Sequence, residues 1–345
     1  DTLPKLNYED SPELVEYILG VARKWVSPPY NCDGWRLDVA ADLGHSEEFN
    51  HEFWRKFRKA VKEANPEALI LAENYESSEK WLRGGEWDSI MNYEAFMEPV
   101  TWFLTGMEKH SDGYREDMRN NSDAFFGAML YNLSRMPHQS MLVAMNELSN
   151  HDHSRFLTRT NRKVGRLHTL GADAAGDGIN EAVMREGIIF QITLPGAPCV
   201  YYGDEAGVVG WTDPDNRRTY PWGNENQYLL QFYREMLHLH KSYEALKTGS
   251  VKFLHGQYGA LAFGRFDDDD RFVIVINNND NNCVMDVPVW EIGVTPEEPM
   301  IRLVESDDGG YNFRAEVYRN EKGVISLMLN SHSAIILKNV PKGLL

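Results

Sequence analysis

Asp33-Gly34-Trp35-Arg36-Leu37-Asp38-Val39-Ala40 is the stretch that decides how this chain reads. In an extended strand, residues two apart share a face. Gly34, Arg36 and Asp38 then point one way, and Trp35, Leu37 and Val39 the other. The first face is polar and the second apolar. An arginine and an aspartate pointing inward from a buried strand are costly unless they pair or act. A guanidinium beside Asp38 favours the ionised carboxylate, the form a nucleophile needs. Taken alone, the segment reads equally well as a buried ion pair and as a catalytic pair.

Working outward, the apolar run 68–73 (Ala-Leu-Ile-Leu-Ala-Glu) is a second short strand, closed by Glu73 at its C-terminal edge. Further strands are expected at 89–93, 140–147 and 198–202. Helical spacing of apolar residues predicts helices over 11–26, 50–64, 180–194 and 227–243. Ser11 caps the first, with Pro12 in its opening turn. Strand–helix alternation with short, doubly buried strands signals an α/β fold with a parallel sheet, open or closed into a barrel. Five strand–helix units fill roughly 245 residues.

The texture changes near Thr248. Alternating runs at 261–266, 271–277, 283–289, 300–304 and 334–337, separated by turn clusters, predict an antiparallel β-sandwich of about 95 residues. The domains expected are therefore 1–246 and 247–345. The four-aspartate run 267–270 reads as a solvated hairpin turn rather than a calcium loop, because no spaced ligand set follows it.

Composition narrows the class. The 345 residues carry 35 Lys+Arg against 52 Asp+Glu, a net charge of −17, which argues against a nucleic-acid partner. No apolar run approaches the ~18 residues of a membrane span. Cys32, Cys199 and Cys283 have neither disulfide nor zinc spacing and read as buried thiols. Several aromatics lie in polar stretches, among them Trp81, Trp87, Trp211, Tyr220 and Trp222. Loop aromatics are common stacking surfaces for sugar rings. For Tyr75, Trp81, Trp102 and Trp211, stacking on a sugar ring and ordinary packing are equally weighted.

The expected strand at 140–147 is followed by Asn150-His151-Asp152. Asp38, Glu73 and Asp152 therefore fall at or just past the ends of successive parallel strands, the edge where α/β barrels carry their active sites. Two carboxylates of different environment serve as nucleophile and acid/base in glycoside hydrolysis. Clustered carboxylates with a histidine could also hold a metal, but a fixed Arg36 beside Asp38 would repel one.

These residues resemble the alpha-amylase family of glycoside hydrolases. Asp33–Ala40 resembles its G-x-R-x-D nucleophile segment, Ala72-Glu73 its acid/base segment, and Asn150-His151-Asp152 the segment of its third carboxylate. Gly203–Gly207 and the stretch from Asp213-Pro214 through Trp222 are also family-like. The resemblance implies that Asp38 forms a covalent glycosyl intermediate and that Glu73 protonates the departing oxygen, then activates water. Asp152 would grip sugar hydroxyls, Arg36 would orient Asp38, and His151 would hydrogen-bond the sugar. Asn150, Tyr75, Trp81 and Trp211 are the further substrate-contact candidates. No organic cofactor is needed, and no metal ligand is assigned. Ala41-Asp42 stands where the family has Lys-His, which weakens the family's calcium site and leaves structural calcium as an alternative only. Leu3-Pro4-Lys5-Leu6-Asn7 resembles the neopullulanase, cyclomaltodextrinase and maltogenic amylase branch.

In the family barrel the nucleophile strand is the fourth of eight. Here it is effectively the first. The resemblance therefore implies the last five strand–helix units of a (β/α)8 barrel, followed by the antiparallel β-domain, with residues 1–10 as the tail of an inserted loop domain. Five strands would leave bare edges. The chain opens at Asp1 without an initiator Met or signal peptide, so the expectation is a C-terminal portion that pairs with its own N-terminal portion. An α-glucan oligosaccharide or polysaccharide is the expected substrate, and a homodimer is an alternative assembly. The compartment stays open, with the cytoplasm preferred over secretion. Rival readings are an α-glucan transglycosylase and a non-catalytic binding member of the family.

Overall fold

The computed structural model describes residues 4–296 and 298–340, so Leu3 of the Leu3–Asn7 segment lies outside the described residues. The chain divides into two compact units. One comprises residues up to Asn92 together with Asn132–Met145; the other comprises Tyr93–Tyr131 and the residues from Asn146 onward.

In the first unit, helix α1 (Pro12–Val26) begins where the Ser11 hydroxyl accepts from the Leu14 N–H. Pro12 suits its first turn, and Val15, Leu19, Ala22 and Val26 form its buried stripe. Strand β1 (Gly34–Leu37) follows. Helix α2 (Glu47–Ala64) is capped by Ser46 and buries Phe53, Trp54, Phe57, Ala60 and Val61. Strands β2 (Leu69–Ala72) and β3 (Ser89–Ile90) lie parallel to β1 in the order β1-β2-β3. The register pairs Gly34 with Leu69 and Leu37 with Ala72, then Ala72 with Ile90. Met91 bridges onward, in parallel, to Met145.

Gly34 is required by that register. A Cβ there would sit 2.2 Å from the Leu69 carbonyl oxygen. Gly34→Ala must push β1 off β2, and it is expected to cost about 1–3 kcal/mol, read as a lower urea midpoint.

The helices fall close to the expected positions, but the strand expected at 140–147 does not form. His138–Leu142 is a helix, and only Met145–Asn146 is extended. Pro137 sets the helix entry, and its carbonyl accepts from the Met141 N–H, so the apolar Met141-Leu142 pair belongs to a helical turn. A short apolar run reads as either element by pattern alone.

The second unit is built around the helix Glu181–Thr193, buried throughout after its first residue and capped by Asn180. The helix Gln227–Ser242 packs on it with one apolar face, through Leu229, Phe232, Tyr233 and Met236. The following strands form an antiparallel sheet. Its order is Gly310–Asn312, Met300–Asp307, Ser333–Asn339, Arg271–Asn277, Ala260–Phe266, Ser250–Gln257. Cys283–Val287 pairs with Ile325–Leu329 separately. Phe190 stacks on Phe263 at 6.0 Å, and Arg265 donates to the Thr193 and Gly249 carbonyls at 2.5 and 3.0 Å. These contacts knit sheet to helix.

The four-aspartate run is the expected hairpin turn: Asp267 Oδ1 accepts from the backbone of Asp269 and Asp270. The cysteines depart from expectation. Cys32 is exposed, while Cys199 and Cys283 are half-buried. Cys32 precedes β1 by two residues. No helix among the described residues is long and apolar enough to cross a membrane.

Candidate active site

β1 and β2 end in register, and each is followed at once by a carboxylate. Asp38 succeeds Leu37, and Glu73 succeeds Ala72. The Glu73 N–H donates to the Leu37 carbonyl at 2.9 Å, which continues the ladder one step past the strands. Arg36 joins the two acids. Its Nη1 lies 2.5 Å from Asp38 Oδ1, its Nη2 3.1 Å from Glu73 Oε2, and its Nε donates to Met91 Sδ at 3.3 Å. Arg36 and Asp38 are brought together as expected, but Asp38 lies one residue past β1 and is exposed rather than facing inward from a buried strand.

The two carboxylates have opposite environments. The Asp38 side chain is 78% exposed and that of Glu73 only 4%. Beyond Arg36, Glu73 Oε2 accepts the Val39 N–H at 3.0 Å. Val39 holds a left-handed backbone, φ 43°, unusual for a β-branched residue and costing about 1–3 kcal/mol. That conformation turns its N–H toward Glu73. Sequence reasoning missed this residue, because a backbone angle leaves no mark in residue type. Val39→Gly should relieve the strain and raise stability by about 1 kcal/mol. It should also loosen Glu73, so a higher urea midpoint with slower turnover is the expected pair of results.

In the second unit, Asn150 organises the turn that bears His151 and Asp152. Its Oδ1 accepts from the backbone of Asp152 and His153, both at 3.0 Å, and its Nδ2 donates to Glu147 and Tyr93. Asn216 donates to the carbonyls of Asn150 and His153 at 3.0 and 2.7 Å. Thr212 Oγ1 and the Asp213 N–H both donate to the Asp152 carbonyl. The Asp152 carboxylate is partly exposed, with His151 Nε2 at 3.5 Å and Arg217 Nη2 at 3.8 Å. Arg217 also donates to the His151 carbonyl. Arg217 and Asn216 were not singled out, although both lie in the stretch from Asp213 to Trp222 that was.

Beneath this turn, Arg155 and Asp204 form a fully buried ion pair at 2.9 Å. Burial pushes the Asp204 carboxyl up, with the Arg155 guanidinium acting against it. Burial likewise keeps His153 neutral, its pKa pushed down to about 2.

The aromatic candidates separate. Tyr75 is exposed and Trp102 half-buried. Trp211 is fully buried, with its indole N–H donated to the Gly171 carbonyl, so it presents no face for a sugar. Trp81 is half-buried and stacks on Trp87 at 4.7 Å and on His51 at 5.2 Å. Trp211 is a packing residue here. Trp222, in contrast, is the most exposed tryptophan, at 80%.

One group among the described residues brings possible cation ligands within 4.8 Å of one another: Glu108, His110 and Asp112. It is occupied by its own bonds. Burial opposes ionisation of Glu108, but hydrogen bonds from His110 and Asp112 outweigh it and bring the carboxyl down to about 2. Asp112 is held by Arg166.

A family model described as alpha amylase, catalytic domain, matches residues 1–235. Neopullulanase 2 of Thermoactinomyces vulgaris is 38% identical over 267 residues, covering 76% of this chain and 39% of that protein. A cyclomaltodextrinase of a Bacillus species is 34% identical over 272 residues, covering 78% of this chain and 42% of that protein. The native form of the Nostoc punctiforme debranching enzyme matches with a TM-score of 0.75 at 29% identity, covering 96% of this chain and 62% of that one. In each case the chain spans less than two thirds of the other protein. With the catalytic-domain model matching residues 1–235 of this chain and relatives above 30% identity, the chain belongs to the alpha-amylase family.

Proposed function

We propose that this chain carries the catalytic carboxylates of a retaining glycoside hydrolase acting on α-glucans such as maltooligosaccharides, starch, pullulan or cyclodextrins. The observation that carries the reading is the Asp38–Arg36–Glu73 arrangement: one exposed carboxylate and one buried carboxyl, joined by a single guanidinium. Those are the opposed environments a nucleophile and a general acid require. The names of the relatives, neopullulanase and cyclomaltodextrinase, support the substrate class.

In this reading Asp38 attacks the anomeric carbon as the glycosidic bond breaks. Glu73 gives its proton to the leaving oxygen, using the carboxyl oxygen not engaged by Val39 and Arg36. Glu73 then takes a proton from water, which attacks the glycosyl ester and frees Asp38 with net retention. Asp152 and His151 bind sugar hydroxyls, and Asn150 holds their turn in place. Tyr75 offers an exposed ring. No organic cofactor enters either step, and calcium has no catalytic part.

Activity further requires strands beyond those of the first unit. The outer edge of β1 has no strand partner among the described residues. An open parallel edge of this kind is normally paired or covered. Additional polypeptide pairing with β1 is the completion we propose.

The test is incubation with maltotriose, followed by proton NMR. Shorter products released first as the α-anomer are expected. Release of the β-anomer first would overturn retention, and products longer than maltotriose would assign the chain to transglycosylases instead.

A further inference from the structure

The first unit holds a second cleft, built from residues the carboxylate site does not use. It is a cavity of about 460 Å³ at α2 and the loop after β2, lined by His51, Arg55, Lys80, Trp81, Arg83 and Glu86, with Gly85 at its rim. Its volume falls in the range of small-molecule sites.

The charge of this cleft is opposite to that of the chain. Three permanent cations line it in a protein of net charge −17. Glu86 is already engaged, by His51 Nδ1 at 2.8 Å and Arg55 Nη1 at 3.3 Å. Lys80 is paired with Glu47. Arg83 is exposed and makes no hydrogen bond or ion pair among the described residues. Arg55, Lys80 and Arg83 thus face two carboxylates before His51 is counted. Trp81 in the cleft wall stacks on Trp87 and His51 and donates its indole N–H to Asn50. A Cβ at Gly85 would meet nothing within 4 Å, so a ligand has open access to that backbone.

A neutral sugar would leave the cations of this cleft unused. A compact dianion gains more. Guanidinium groups bind phosphate oxygens in a bidentate fork, and Arg83 has its fork free. We propose that this cavity is a binding site for a phosphate group, carried by a small phosphate monoester or supplied as inorganic phosphate, with Arg83 as its principal donor and Arg55 and Lys80 beside it. The inference is independent of the reading of Asp38 and Glu73.

Isothermal titration of the chain at low salt tests it, with inorganic phosphate, glucose 6-phosphate and glucose as the three probes. The phosphates should bind at one site and glucose should not. Arg83→Ala should weaken phosphate binding by about tenfold or more, the value of a charge-assisted hydrogen bond. Raising the salt to about 0.5 M should weaken it too. Lys241→Ala, an exposed lysine on the helix Gln227–Ser242, should change nothing. Arg83 makes no contact that the fold needs, and Lys80→Ala is the second variant. Tighter binding of glucose 6-phosphate than of phosphate would identify a sugar phosphate as the source, and equal binding the phosphate group alone. Absence of saturable binding by both phosphates, or affinity unchanged in both variants, would overturn the proposal.

Discussion

Asp38→Asn should lower turnover of maltotriose by about 10⁴-fold or more in an active preparation, with the unfolding midpoint unchanged. A loss of that size corresponds to about 5.5 kcal/mol of transition-state stabilisation. The amide keeps the shape of the side chain and removes its nucleophilicity. The fold should not notice, because the Asp38 side chain is mostly exposed and its one bond is to Arg36. Glu73→Gln should show a comparable loss on maltotriose but a much smaller one on α-glucosyl fluoride, whose leaving group needs no proton. Asp38→Asn should fail on both. That split separates the two roles by measured rates, and a near-normal rate for either variant on maltotriose would remove the residue from the mechanism.

Arg155→Met should destabilise the second unit by about 3–5 kcal/mol near neutral pH. Arg155 is wholly buried. It pairs with Asp204, donates to the carbonyls of Asn216 and Tyr202, and lies over the Tyr201 ring at 4.0 Å. Removing it strands a buried carboxylate. The pH dependence follows from the direction of the Asp204 shift. Burial already raises its pKa in the folded state, and loss of the guanidinium raises it further. A folded-state pKa above the unfolded value of 3.8 means that stability falls as pH rises between the two. The gap between variant and parent should therefore widen from pH 4 toward 7 and shrink below 3.8, where Asp204 is protonated in both states. Denaturant midpoints across that range provide the check. Turnover should fall with stability, because Asn216, which Arg155 holds, also fixes the Asn150–His153 turn.

The parts of this site that were legible in sequence are those where residue type and period carry the information. Arg36 and Asp38 could be placed together because a strand repeats every two residues, and Glu73 because it ends a compact apolar run. The buried Arg155–Asp204 pair was not read, since nothing in sequence links two positions that far apart. Val39 was invisible for another reason: its contribution is a positive φ and a backbone N–H, and any residue has an N–H. The strand expected at 140–147 failed because Met141 and Leu142 satisfy either period over so few residues, and Pro137 decided for helix. Trp81 and Trp211 show that a polar sequence neighbourhood does not imply exposure. Each indole N–H is donated to a residue remote in sequence: that of Trp211 to the Gly171 carbonyl and that of Trp81 to Asn50.

The central claim is that Asp38 is a covalent nucleophile, and the most direct measurement is trapping with a 5-fluoro-α-glucosyl fluoride, followed by proteolysis and peptide mass spectrometry. The account predicts a single glycosyl adduct on the peptide containing Asp38, absent after pre-incubation with maltotriose. An adduct on Glu73, on Asp152 or on any other residue would contradict it, as would turnover of the reagent with no adduct formed.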